Sequence, residues 1–227
     1  MDLRREGAVV ADETRGTPAD LRAVWASLVD GRCKIADSFS ARGRSYLVLE
    51  SALSTELRPL AVELRVTFEG VVAHGSLKIV ASELGYTIST IAMRAKAALA
   101  FIGLGCPFSR APTLIILAVH AAHGANLLAD VRESELHGPE GTFRVLSTAN
   151  LGLSVANRLS PGENAVVGEW LEGRSHAEVA LVRRTSSRTV ANQISTASRK
   201  LGVSGRLDFI RRLAIARLAT SPVRISA

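Results

Sequence analysis

Cysteine is nearly missing from this 227-residue chain, which holds only Cys33 and Cys106. Two thiols cannot build a disulfide framework, and their scarcity makes a reducing compartment the expected setting, with both residues inert. Also lacking is any apolar run near the ~20 residues that a bilayer span requires. The amino-terminal stretch MDLRREGAVVADETRG has no apolar core of an export signal, so the chain is expected to stay in the cytoplasm. Glycine-rich phosphate loops, Cys-x-x-Cys pairs and a nucleophile elbow are absent, which argues against catalysis and a bound cofactor. What is present is 47% hydrophobic and 22% charged residues, the balance of a chain that folds in water as one or two domains.

The net charge is +7, and it is unevenly placed. From Arg158 to Ala227 there are twelve Lys plus Arg against five Asp plus Glu, whereas the preceding residues hold sixteen of each. A basic segment joined to a neutral one suggests an anionic polymer as partner, because each neutralised phosphate releases condensed counterions. A membrane surface fits less well, since the segment does not read as one long basic amphipathic helix.

The periods of that segment are helical. Ser160 followed by Pro161 is an N-cap with proline at the first helical position, and Glu163 stands where a carboxylate meets the free amides of the turn. Ala165, Val166, Val167, Trp170 and Leu171 recur at spacings of three and four, and Gly173 ends this helix. Ser175 caps a short second helix whose inward face comes from Ala177, Val179, Ala180 and Val182. After a break from Arg183 to Thr185, Ser186 caps a third helix, about 187–201, with Val190, Ile194, Ala197 and Leu201 on its core side and Gly202 at its end. Ser204 caps a fourth, which carries the apolar stripe Leu207, Ile210, Leu213, Ala214 and Leu218. Short helices joined by tight turns, with Arg188, Thr189, Asn192, Gln193, Ser195 and Ser198 between the core residues of the third, are what a helix-turn-helix requires.

Over roughly 158–219 the chain resembles the carboxy-terminal DNA-binding domain of the LuxR family of bacterial transcription regulators, the GerE-type helix-turn-helix. The residues that carry the likeness are Leu159-Ser160-Pro161 with Glu163, Glu172-Gly173 with Ser175, Glu178-Val179-Ala180, Ser186 with Arg188-Thr189-Val190, Asn192, and Arg199-Lys200-Leu201-Gly202-Val203. The resemblance implies that the third helix enters a major groove of double-stranded DNA. Groove contacts then come from the positions of Ala191, Asn192 and Ser195, and phosphate contacts from Arg188, Thr189, Arg199 and Lys200. Asn192 and Gln193 each suit a bidentate contact to adenine. Where the family usually has lysine this chain has Ala191, and where it often has histidine the chain has Gln193, so a long cationic reader is lost while backbone contacts remain. The resemblance also implies a homodimer formed through the fourth helix, at Leu207, Ile210, Leu213, Ala214 and Leu218, and a palindromic site.

A second, weaker copy of the pattern lies upstream. A shift of 99 positions lays His74 to Leu104 on Gly173 to Val203 without a gap. Ser76, Val80, Ala81, Thr90, Ala92, Ala98 and Gly103 are then identical to their partners, while Ile91, Ile102 and Leu104 fall on Val190, Leu201 and Val203. Further back, GRSYLVLE from Gly43 resembles GTFRVLST from Gly141, and the segment from Pro18 echoes the one from Ala111. Each half thus reads as an apolar helix, a hairpin with period-two apolar residues (Tyr46 and Val48, Phe143 and Val145) and a helix-turn-helix. In the upstream copy the Arg-Lys pair has become Ala100-Phe101, which points to a packing or dimerisation module; Lys78, Arg94 and Lys96 keep open a second DNA reader.

The expected fold is therefore mainly α with short β-hairpins, with two tandem helix-turn-helix units from an internal duplication and a four-helix LuxR-type unit at the carboxy terminus. The expected divisions are 1–110 for the first repeat, with its degenerate helix-turn-helix at about 60–104, 111–157 for the helix and hairpin of the second, and 158–221 for the DNA-binding domain. The expected function is sequence-specific regulation of transcription by a homodimer on the nucleoid. Two other readings fit: a protein-interaction scaffold with only non-specific DNA contacts, motivated by Ala191, and a regulator whose upstream half senses a small molecule. No receiver-domain pattern and no aromatic signature of an acyl-homoserine-lactone pocket is visible. His120 and His123, with Cys106 nearby, have the HxxH spacing of a metal pair, but the run ILAVHAAHGANLLA reads as a buried helix. His74, His137 and His176 read as solvated.

Overall fold

The structure, a computed structural model, describes residues 16–41, 43–51, 58–105, 112–122, 131–138, 141–149 and 158–220. Its elements are β1 (Thr17–Pro18), α1 (Leu21–Val29), β2 (Cys33–Ala41), β3 (Arg44–Ser51), α2 (Val62–His74), α3 (Leu77–Leu84), α4 (Ile88–Phe101), α5 (Pro112–Ala122), β4 (Arg132–Gly138), β5 (Gly141–Ala149), α6 (Pro161–Leu171), α7 (His176–Val182), α8 (Ser187–Leu201) and α9 (Arg206–Thr220). Among these residues no helix is long and apolar enough to cross a membrane.

The strands form one antiparallel sheet in the order β1-β4-β5-β3-β2. The chain is mixed α and β, which corrects the expectation of a mainly α fold with short hairpins. Four of the strands run seven to nine residues, and the two hairpins pair with each other through β3 and β5. The sequence supplies the reason. Leu47, Leu49 and Leu146 join the core shared with the helices, whereas Tyr46, Val48, Phe143, Val145 and Leu136 form a second apolar cluster. A strand that buries both its alternating sets belongs in the middle of a sheet rather than in a hairpin with one wet face.

The junction between the hairpins is symmetric. Leu47 pairs with Leu146 and Val48 with Val145. The shift of 98 that carries Gly43 to Gly141 carries Leu47 to Val145 and Val48 to Leu146, so it exchanges the two pairs, as a two-fold between repeats does. The sheet edges are β1, only two residues long, and β2, which meets the end of α4. At one, β1 pairs with β4. At the other, the Ile35 N–H donates to the Ile102 carbonyl at 2.7 Å, beside an irregularity in β2 between Ile35 and Asp37. Gly103 makes that approach possible: its φ is +92°, and a Cβ there would lie 2.3 Å from the Ile35 oxygen.

Helix α5 buries Leu114, Ile115, Ile116, Leu117, Ala118, Val119 and Ala121, and it packs against α1, α2, α9 and β3. A helix apolar all round has no wet face, so it takes the centre. The Cys106 and His123 of the HxxH segment lie outside the described residues, as does the side chain of His120. Cys33 is buried, and that burial pushes its thiol above the ordinary range, which makes it a poor nucleophile.

Candidate nucleic-acid interface

Helices α6, α7 and α8 are started by their own side chains. Ser160 accepts from the Glu163 amide while the Glu163 carboxylate accepts from the Ser160 N–H at 2.7 Å. Ser175 and Glu178 repeat this reciprocal cap at α7, and Ser186 accepts from the Thr189 amide at 3.1 Å to begin α8. Each cap contributes about 0.5–2 kcal/mol and fixes where the chain turns. Buried Val166, Val167, Trp170, Leu171, Val179, Ala180, Val190, Ile194 and Ala197 then hold the three helices together. The fourth helix departs from expectation. It begins at Arg206, and Ser204 donates from its N–H and hydroxyl to the Asp208 carboxylate at 3.0 and 3.3 Å rather than accepting from the helix.

The outward face of α8 carries Arg188, Thr189, Asn192, Ser195 and Arg199, all exposed, with Ala191, Gln193 and Ser198 half-buried. Gln193 turns toward α6: its side-chain nitrogen lies 3.6 Å from where a Cβ on Gly162 would sit. Lys200, expected on a phosphate, is committed elsewhere. Its Nζ lies 2.8 and 2.7 Å from the two oxygens of the buried Glu163 carboxylate, tying the end of α8 to the start of α6. That hydrogen bond, with the Ser160 N–H, holds the Glu163 carboxyl below the usual carboxylate range.

Apart from Arg158, exposed at the start of the unit, and Arg211, half-buried on α9, the remaining described cations of this unit divide into two sets. Arg174 pairs with Glu169 and Glu172, Arg206 bonds the Gly173 and Arg174 carbonyls and lies over the Trp170 ring, and Arg212 pairs with Asp208. Arg183 and Arg184 in the turn, with Arg188 and Arg199 on α8, are exposed and make no ion pair with a described acid. From Val179 to Leu207 the chain has no Asp or Glu at all. Arg184 is also the one described non-glycine residue with positive φ, at +50°.

At the 99-residue offset, the upstream copy of the sequence pattern repeats several local features of this unit. Ser76 and Thr87 cap α3 and α4 as Ser175 and Ser186 cap α7 and α8. The hydroxyls of Thr87 and Thr90 meet at 2.9 Å, as do those of Ser186 and Thr189. Ile91 and Val190 are both fully buried, and so are Ala98 and Ala197. Gly85, at φ +69°, occupies the position of Arg184.

The outward faces differ. Ile79, Tyr86, Ile88 and Met93 stand where the downstream copy has Glu178, Thr185, Ser187 and Asn192, and all four are exposed, Met93 by 69%. Of the upstream cations, Arg94 lies 4.1 Å over the Tyr86 ring, while Lys78 and Lys96 are exposed.

Two further expectations change. Ile210, Leu213 and Ala214 of the supposed dimer stripe are buried inside the chain, where α9 packs against α5; Leu207 is half-buried, and the Leu218 side chain lies outside the described residues. The physical cause is α5, whose apolar surface takes up the stripe. His176 and His137 are exposed as expected, His137 with a hydrogen bond to the Thr142 hydroxyl at 3.0 Å, but His74 is half-buried and lies 2.9 Å from the Glu83 carboxylate. Sequence reading left Arg183 and Arg184 undecided and missed the Lys200 to Glu163 tie. The capping box at Ser160 is the signal for the latter, since it draws Glu163 to the helix end that Lys200 reaches. No family model matches the chain, and neither a curated protein nor a solved structure does.

Proposed function

We propose that the chain is a DNA-binding regulator of transcription in which α6 to α9 act as a helix-turn-helix unit of the LuxR type, with α8 in the major groove of double-stranded DNA. The observation that carries this reading is the set of four unpaired arginines, Arg183, Arg184, Arg188 and Arg199, on an acid-free surface of one turn and one helix face. Unpaired guanidiniums on such a face match the spaced anions of a phosphate backbone. Asn192 and Ser195 lie between them as the base-edge readers, with Thr189 at the helix start.

In this reading α2, α3 and α4 are the degenerate second helix-turn-helix. Its outward positions hold Ile79, Tyr86, Ile88 and Met93, which suits a protein contact better than a phosphate backbone. A homodimer through α9 requires opening the α5 contact, so we assign the dimer surface to Tyr86, Ile88 and Met93.

Binding of the full chain to DNA fragments at several salt concentrations tests the proposal. With one phosphate for each of the four arginines, the slope of log K against log salt is about −3.6 per chain. No binding at low salt, or binding that salt leaves unchanged, overturns it. The scaffold reading keeps one specific support, since Ala191 is half-buried and offers no polar group. Selection of bound DNA from a random pool separates the two: a recurring sequence supports the regulator, and an unenriched pool supports non-specific contact.

A further inference from the structure

Between the upstream copy and the start of α9 lies a cleft of about 880 Å³, lined by Val71, Ala95, Leu99, Leu104, Trp170 and Leu207 among others. That volume falls within the range of small-molecule sites, about 300–1,000 Å³. Comparison of the repeats explains why the space exists. Ala95 stands where the downstream copy has Ile194, Ala100 where it has Arg199, Gly75 where it has Arg174 and Gly105 where it has Ser204. At these four lining positions the upstream copy has the smaller side chain, whereas at Lys96 and Leu99 it has a larger one than Ser195 and Ser198. Loss of DNA-facing side chains alone does not account for this, because Ala95 is a core position, buried like Ile194.

The polar groups of the lining have one sign of charge. Lys96 contributes an exposed ammonium and Arg206 a guanidinium, with the Ser76 hydroxyl beside them; the Ser204 hydroxyl is donated to Asp208, and among the described residues no Asp or Glu lines the cleft. Arg206 is fixed there by the Gly173 and Arg174 carbonyls and by the Trp170 ring 4.8 Å away. An apolar recess with fixed positive charge, whose nearest described carboxylate, Asp208, is taken up by Ser204 and Arg212, is complementary to a molecule with an apolar body and one negative group.

We infer that this cleft is a binding site for an amphipathic organic anion, an acyl or aromatic carboxylate, whose apolar part lies against Ala95, Leu99 and Trp170 and whose carboxylate faces Lys96 and Arg206. The inference stands apart from the DNA-binding reading, since among the described residues none of α8 lines the cleft.

Titration of the full chain with 8-anilinonaphthalene-1-sulfonate, and competition with decanoate, tests it. One probe binds per chain, decanoate displaces it, and uncharged decan-1-ol displaces it about tenfold more weakly, as the loss of a charge contact in a partly desolvated site requires. Ala95→Trp projects an indole ring into the part of the cleft assigned to the apolar body and weakens probe binding at least about tenfold. Ala100→Glu, at an exposed lining position that tolerates a larger side chain, weakens it about tenfold while the melting temperature is kept, so the test survives if Ala95→Trp does not fold. Met93→Gln leaves binding unchanged, because Met93 does not line the cleft. Probe binding that Ala100→Glu leaves intact, that Met93→Gln removes, or that decan-1-ol and decanoate displace equally overturns the inference.

Discussion

Arg184 holds a left-handed backbone that costs a residue with a Cβ about 1–2 kcal/mol, while its upstream counterpart is Gly85. In the proposed function, this exposed guanidinium at a strained position is explained by a phosphate contact outside the chain. Arg184→Gly therefore leaves the melting temperature unchanged or raised. The same variant lowers the salt slope of DNA binding by about 0.9, one phosphate contact. Thermal melting and a salt titration on the same protein check both halves, and a variant that loses stability but not affinity contradicts the assignment.

Glu163 offers a second test at this scale. Its folded carboxyl titrates below the usual value, so the stability it supplies is present above pH ~4.3, the unfolded value, and is lost as pH falls through the folded value. The melting temperature is expected to drop below that pH. Glu163→Gln, which lowers it at neutral pH by leaving Lys200 without its partner, flattens the dependence. Asp208 works in the same direction: burial pushes its carboxyl up, but hydrogen bonds from Ser204 and Arg212 outweigh that and leave it lowered.

At the scale of elements, helix starts are the best-determined features, because each is fixed by a side chain that the sequence displays. Ser160, Ser175 and Ser186 cap where their spacing to Glu163, Glu178 and Thr189 indicates. Ser204 differs because the helix starts one residue later, at Arg206, and its hydroxyl donates to the Asp208 carboxylate four residues on. The hairpins were legible as period-two runs, yet their pairing was not. Joining β3 to β5 is a long-range choice set by which apolar faces find cover, and no local spacing encodes it. The fate of the α9 stripe was hidden for the same reason: Ile210 and Leu213 read as a surface seam until α5 is placed beside them. Gly103 is the sharpest test of the docking between α4 and β2. Gly103→Ala forces a Cβ onto the Ile35 carbonyl at positive φ, so it destabilises the fold by at least about 2 kcal/mol, measurable by chemical denaturation.

At the scale of the molecule, the two segments related by the 99-residue offset share their caps and core positions but differ at their surfaces. One keeps unpaired arginines and small polar side chains outward; the other exposes Tyr86, Ile88 and Met93 and has hollowed a core position at Ala95. Pairing of α5 with α9 inside the chain takes up the stripe that the family resemblance puts between subunits. Ile210→Asp is thus expected to abolish cooperative melting rather than yield a folded monomer, whereas Met93→Asp leaves the melt unchanged and shifts any dimer toward monomer in light scattering. The central claim, that the carboxy-terminal unit holds DNA through four unpaired arginines, is tested most directly by one salt titration. The full chain and its Arg183→Ala/Arg184→Ala/Arg188→Ala/Arg199→Ala variant are measured on the same duplex. The account predicts a slope near −3.6 per chain for the parent and near zero for the folded variant. Equal slopes for the two proteins would contradict it.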